Sequence, residues 1–127
     1  MTVHEMYNSI DTMCQKDPEM KEIYEYIYGG LNWELVQTFN TMILLQELKK
    51  RMQDEVVCFT FNKTDGSSRQ AFGTRDREVI GNHSAQPKGK QTNRQFSGTF
   101  PYFDIEKQAW RSFKVEKIVD INRGYSL

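Results

Sequence analysis

A chain of 127 residues and 15.0 kDa suffices for one compact domain with a helical appendage and falls short of two independent cores. Its 17 basic residues balance 17 acidic ones, mean hydropathy is −0.70, and no stretch approaches the ~18 apolar residues of a membrane span. Cys14, Cys58, His4 and His83 lack paired metal-ligand spacing, which excludes a zinc finger and a disulfide scaffold. Met1–Glu5 lacks the basic and apolar regions of a signal peptide, so the expected location is the cytoplasm and the cysteines are expected as free thiols.

Three helices are expected first. Thr2 and Glu5 have capping-box spacing, and Val3, Met6, Tyr7, Ile10, Met13 and Cys14 recur at three and four, predicting an amphipathic helix to about Lys16. Asp17-Pro18 is a second start, an N-cap acceptor with proline at the first helical position. Met20, Ile23, Tyr24 and Ile27 carry this helix to a stop at Gly29-Gly30. Asn32 can cap the third, whose face of Leu35, Val36, Phe39, Met42, Ile43, Leu45, Leu48 and Met52 runs to about Gln53. Leu44 widens that band, so the helix is expected between two surfaces, with a sheet or a second copy as its neighbour.

At Val56 the period changes from about 3.6 to 2. Val57, Phe59 and Phe61 alternate with Cys58 and Thr60, and Asp65-Gly66 predicts a two-residue type I′ hairpin to a strand over 68–74. A second pair, 100–105 and 109–115, is joined across Glu106-Lys107-Gln108, and 118–121 is a final short strand. The polar, basic stretch 81–95 between the pairs is expected to be a mobile loop, either a binding element or tolerated slack. The fold class is therefore α+β: about three N-terminal helices over 1–55, packed with a small five-stranded antiparallel barrel over 56–127. An SH3-like or Sm-like barrel is the first expectation and an OB-type barrel the second.

Charge is divided between these regions. Residues 1–55 hold ten acids and five bases, and 56–127 seven acids and twelve bases, so net −5 faces net +5. The halves either attract each other in the fold or offer two kinds of surface to partners. Lys63, Arg69, Arg75, Arg77, Lys88, Lys90, Arg94, Arg111 and Lys114 lie among Phe61, Phe72, Tyr102, Phe103, Trp110 and Phe113, a mixture that neutralises phosphates and offers ring faces to bases. A small barrel also needs such rings for its core. On the helices, Glu22, Glu25 and the Lys49-Lys50-Arg51 cluster are the candidate partner-docking residues.

No catalytic constellation emerges, and neither enzyme activity nor a metal or other cofactor is expected. There is no phosphate loop, no His-Glu-x-x-His and no Gly-x-Ser-x-Gly. His83 lies in the expected loop, Cys58 reads as a small packing residue, and Asp104 with Glu106 reads as a solvated strand face.

Phe59-Thr60-Phe61-Asn62-Lys63-Thr64-Asp65-Gly66 through Arg69-Gln70-Ala71-Phe72-Gly73-Thr74, then Tyr102-Phe103-Asp104 and Trp110-Arg111-Ser112-Phe113, resemble small phage and bacterial proteins with a WYL-related, Sm-like or SH3-like barrel. The resemblance covers about residues 56–121, although the chain carries no Trp-Tyr-Leu tripeptide. It implies sensing of nucleotides or nucleic acid through basic strand residues such as Arg69 and Arg111. The size and acidic helices are similar to small phage early proteins that dock on host machinery, a group that includes RNA-polymerase-binding proteins of T-even phages. Three functions follow as expectations: an accessory protein that binds host RNA polymerase or another host protein, with DNA or RNA contact and oligomer formation open to it; a barrel that binds nucleic acid or a nucleotide; or an inhibitor of a bacterial defence protein.

Overall fold

A computed structural model describes residues 1–81 and 96–122. The expected loop over 81–95, with Lys88, Lys90, Arg94 and His83, lies outside the described residues apart from Gly81. The chain forms two compact units, Met1–Gln46 and a second beginning at Glu47.

Helix α1, Val3–Lys16, begins with the capping box that the sequence predicts. The Thr2 hydroxyl accepts from the Glu5 N–H at 3.1 Å and Glu5 Oε1 accepts from the Thr2 N–H at 2.8 Å. This satisfies two backbone donors that a helix start otherwise leaves open. Asp17 caps α2, Pro18–Tyr24, through its carboxylate on the Glu19 N–H. The helix then widens into a π-helical turn, Glu25–Gly30, where the sequence leads one to expect α-helix. The two glycines weaken the α-helical ladder there, and the Leu31 N–H reaches back five residues to the Tyr26 carbonyl.

Helix α3, Leu35–Met52, starts two residues later than a cap at Asn32 would start it. Asn32 instead takes φ 58°, a left-handed conformation that asparagine tolerates, and the first helical carbonyl is that of Glu34. Phe39, Met42, Leu45, Leu48 and Met52 are its buried stripe. Val36 and Ile43 stay exposed in the single chain.

The second unit holds strands β1 (Val57–Asn62), β2 (Ser68–Thr74), β3 (Thr99–Asp104), β4 (Ala109–Lys114) and β5 (Ile118–Ile121), in the sheet order β4-β3-β2-β1-β5 and all antiparallel. A short helix unmarked by periodicity, α4 (Arg77–Ile80), follows β2 and is capped by Asp76. A 3₁₀ turn, Val115–Lys117, separates β4 from β5. Three strand spacings separate β4 from β1, roughly 14 Å in a flat sheet. Yet the Phe113 ring of β4 lies 5.4 Å from Phe59 and 5.2 Å from Phe61 of β1. The sheet therefore curls on itself, and Phe59, Phe61, Phe100, Tyr102 and Phe113 fill its concave side. Full burial of each ring is worth roughly 2–3 kcal/mol.

Two backbone details permit this packing. The β1–β2 connection is a three-residue loop, Thr64-Asp65-Gly66, rather than the expected two-residue turn. The Gly66 N–H donates to the Lys63 carbonyl at 2.9 Å, the Lys63 N–H donates to Ser67 at 2.7 Å, and Gly66 alone of the loop has positive φ, 92°. A type I′ turn needs positive φ at Asp65 as well. Asp65 instead accepts from the Ser67 hydroxyl at 2.6 Å and the Ser67 N–H at 2.9 Å, which holds its carboxyl below the ordinary range. At Gly73 a Cβ would sit 2.5 Å from Tyr102 Cδ2 and 3.2 Å from Phe59 Cε1, so the bare backbone makes room for both rings.

The last turn of α3 is tied to the end of β2. The Met52 carbonyl accepts from the Arg75 N–H at 2.8 Å and the Thr74 hydroxyl at 3.1 Å, supplying partners for a helix end that has no further turn to do so.

Gly73→Ala should lower unfolding free energy by about 1–3 kcal/mol in urea denaturation, because neither ring can withdraw within the curled sheet. Ser67→Ala should raise the Asp65 carboxyl toward its ordinary pKa in an NMR titration, while Gly66→Ala should cost about 1 kcal/mol through its positive φ.

Candidate binding site at the polar corner of the barrel

Residues opposite each other in an antiparallel pair share one face of the sheet. The register places Tyr102 opposite Arg111, Asp104 opposite both Ala109 and Gly73, and Arg69 opposite Phe61. Arg69, Tyr102, Asp104 and Arg111 are thus on the concave face. Trp110 pairs with Phe103 and Lys114 with Thr99 on the other face, beside Cys58 and Phe72. The basic and aromatic residues that look like one set in the sequence are divided by strand alternation into two.

Asp104 is fully buried, which corrects the expectation of a solvated carboxylate pair with Glu106; Glu106 is exposed in the turn beyond the strand. Asp104 Oδ2 accepts from Arg69 Nη2 at 2.7 Å, and Oδ1 accepts from the Lys107 N–H at 3.0 Å. One carboxylate therefore holds a guanidinium from β2 and closes the β3–β4 turn. A buried charge is stable only when paired and hydrogen-bonded in this way.

Tyr102 is also fully buried and belongs to the core. Burial raises its pKa; the charges of Arg69 and Arg111 oppose that rise and the Asp104 charge adds to it. Arg111 stands beside the phenol and favours its ionised form through its charge and its side-chain donors. Arg111 is exposed on the edge strand β4.

The remaining basic residues have other environments. Arg75 is only partly exposed: its Nε donates to the Pro101 carbonyl at 3.0 Å and its guanidinium carbon stands 4.0 Å above the Phe100 ring centre. That is a structural cation–π contact rather than a surface offered to a partner. Trp110 is half-buried, edge-to-face with Phe103 at 6.0 Å. Lys63, Arg77 and Lys114 are exposed, as are Glu22, Glu25 and Lys50 on the helical side. Lys49 is half-buried, and Arg51 lies 3.4 Å from Glu55 and 4.0 Å from Glu47 in one-turn pairs of little energetic weight.

Both thiols are held protonated, Cys58 by burial and then by the Glu106 charge, Cys14 by burial and then by Asp11. Neither has the lowered pKa of a nucleophile. Among the described residues there is no cluster of His, Cys, Asp and Glu fit for a metal ion, and no helix long and apolar enough to cross a membrane.

The family model WYL_2, described as an Sm-like SH3 beta-barrel fold, matches residues 45–119. An uncharacterized 11.5 kDa protein in the Gp31-cd intergenic region of Enterobacteria phage T4 is 31% identical over 75 residues, which cover 59% of this chain and 74% of that protein. No solved structure gives a significant match.

Asp104→Ala should cost about 3 kcal/mol in equilibrium unfolding, since it strands the Arg69 guanidinium and the Lys107 N–H together. Asp104→Asn should cost less, because an amide oxygen still accepts from Lys107.

Proposed function

From the membership of this chain in the WYL_2 family of Sm-like SH3 β-barrels, and its similarity to a phage T4 protein, we propose that it is a non-enzymatic phage accessory protein that binds the host transcription machinery, with RNA polymerase as the partner. Charge carries this reading. Unit Met1–Gln46 contains seven acids and two bases, net −5, and the remainder ten acids and fifteen bases, net +5. The nine residues between Gln46 and Val56 hold three of each sign, so the division follows the compact units as closely as it follows the change from helix to strand. A partner that is itself a protein with bound nucleic acid presents both complements: basic protein surface for the acidic helices, and phosphates for the basic barrel. Exposed Glu22 and Glu25 are the helical contacts, and exposed Lys50, Lys63, Arg77 and Lys114 belong to the basic side. Such a protein works in the host cytoplasm and requires no cofactor.

The test is capture of partners from a bacterial lysate on the tagged full-length chain, with and without nuclease. RNA-polymerase subunits should remain bound after nuclease, and Glu22→Lys with Glu25→Lys should reduce their recovery at least tenfold while the fold, checked by circular dichroism, is unchanged. Recovery of nucleic acid alone, lost on nuclease treatment, would sink this reading.

A further inference from the structure

We propose that the face of the α1–α2 helix pair carrying Tyr7, Tyr24 and Tyr28 binds an arginine-bearing segment of a partner protein, its guanidinium groups seated over the phenol rings and against the carboxylates of Asp11 and Glu25. The proposal rests on the acidic helices meeting protein, and not on which protein that is. The core between these helices is aliphatic and thioether in character: Ile10 and Met13 of α1, and Met20, Ile23 and Ile27 of α2 and the turn after it, are all buried. The three tyrosines are left at the surface instead. Tyr7 is 38% exposed, and Tyr24 and Tyr28 are half-buried. The Tyr7 and Tyr28 hydroxyls meet at 2.8 Å with their rings edge-to-face, and Tyr24 stacks on Tyr28 at 5.2 Å. One ring cluster therefore ties α1 to the π-helical turn, a geometry frequently found at functional sites.

Charge marks the same face. Tyr7, Asp11 and Cys14 follow at intervals of four and three and so share one side of α1. After burial, the Asp11 charge acts most strongly on the Cys14 thiol, then Glu25, with Lys21 opposing them. Burial first, and then Tyr28, Cys14 and Asp11, raise the pKa of Tyr24. Both carboxylates thus stand beside the rings. Asp11 and Glu25 are exposed, and neither forms an ion pair among the described residues. Tyr7 is raised as well, through its hydrogen bond to Tyr28, so these rings stay neutral and keep the electron-rich faces that attract cations. The unit as a whole holds seven acids and two bases, which draws in a basic ligand and repels a phosphate-bearing one. A neutral apolar segment would use the rings and leave the carboxylates idle. Arginine uses both, because its planar guanidinium stacks on an aromatic face while its edge N–H groups donate to a carboxylate. Tyrosine suits the task, since it offers a large rigid ring at little cost in side-chain entropy.

The experiment is NMR titration of the full-length chain with an acetylated peptide of alternating arginine and glycine, and with the same peptide carrying neutral citrulline in place of arginine. The arginine peptide should bind with its Hδ protons shifted upfield by the tyrosine ring currents, and the citrulline peptide should bind at least tenfold more weakly. Tyr7→Ala should weaken binding about fivefold, and Tyr7→Ala with Tyr28→Leu at least tenfold, with loss of the upfield shift. Tyr7→Phe keeps the ring and loses only the hydroxyl contact, so it should bind as the unaltered chain does. Asp11→Asn with Glu25→Gln should weaken binding more at low salt than at high salt. No binding of the arginine peptide, binding without the upfield shift, equal binding of the citrulline peptide, or binding unchanged in Tyr7→Ala or in the paired carboxylate variant overturns the proposal, as does a Tyr7→Phe protein as impaired as Tyr7→Ala. The polymerase reading fails separately, in the lysate capture. Polymerase held equally by the unaltered chain and Tyr7→Ala, with no peptide binding, leaves that reading standing and refutes this one; peptide binding with the shift and no polymerase does the reverse. Should the double tyrosine variant fail to fold by circular dichroism, Tyr7→Ala, at an exposed position, decides the matter.

Discussion

The approach of Phe113 to Phe59 and Phe61 is the contact on which the second unit depends. It joins strands that lie three places apart in the sheet order, so it exists only if the sheet rolls up. Once it does, five aromatic rings share a space that a flat sheet would leave open to water, and each ring limits where the next can go. Gly73 is a product of that limit, since Tyr102 and Phe59 occupy the volume a side chain would need. Asp104 is another: β3 has to deliver a carboxylate into the rolled interior, and Arg69 reaches along the concave face from β2 to neutralise it.

The rolled sheet also sorts the surface chemistry. Consecutive residues point to opposite faces, so Trp110 and Arg111, adjacent in the chain, serve different environments: the indole packs on Phe103, and the guanidinium stands across from the Tyr102 phenol. Arg75 is removed from the set by its contacts with Pro101 and Phe100. A basic, aromatic sequence thus becomes a small polar corner on one face and a packed aromatic pair on the other. The corner is held by a carboxylate that also fixes the β3–β4 turn, so its geometry is part of the fold rather than an ornament on it.

Much of this was legible in the sequence because it is local. The capping box of α1, the proline-initiated α2, the change of period at Val56 and the five strands all follow from spacings of a few residues. The structure departs from these local signals where one signal fits two geometries. Asp-Gly suits both a type I′ turn and a three-residue loop with glycine in the left-handed position, and the Asp65 carboxylate, engaged by Ser67, accompanies the second. Asn32 suits a cap and a left-handed residue equally, and it takes the latter. The site was less legible. Arg69, Tyr102 and Arg111 were recognisable as candidates by type, but the burial of Asp104 depends on a partner 35 positions away in the chain, which no periodicity reveals. The Tyr102-x-Asp104 spacing did place both on one strand face, and that was the available clue.

The family match begins at residue 45, inside α3 rather than at the start of a strand. The final turns of that helix fall within the matched segment, and the Met52 carbonyl ties them to the barrel: its acceptor capacity is spent on Arg75 and Thr74, at the end of β2. In chemical terms the helix end is a component of the barrel, and the start of the matched segment lies in the middle of a regular element. The chain upstream of residue 45 meets the matched segment inside an unbroken helix. The joint between the two is one continuous ladder of backbone hydrogen bonds, in which each turn of α3 carries the strain or motion of the next.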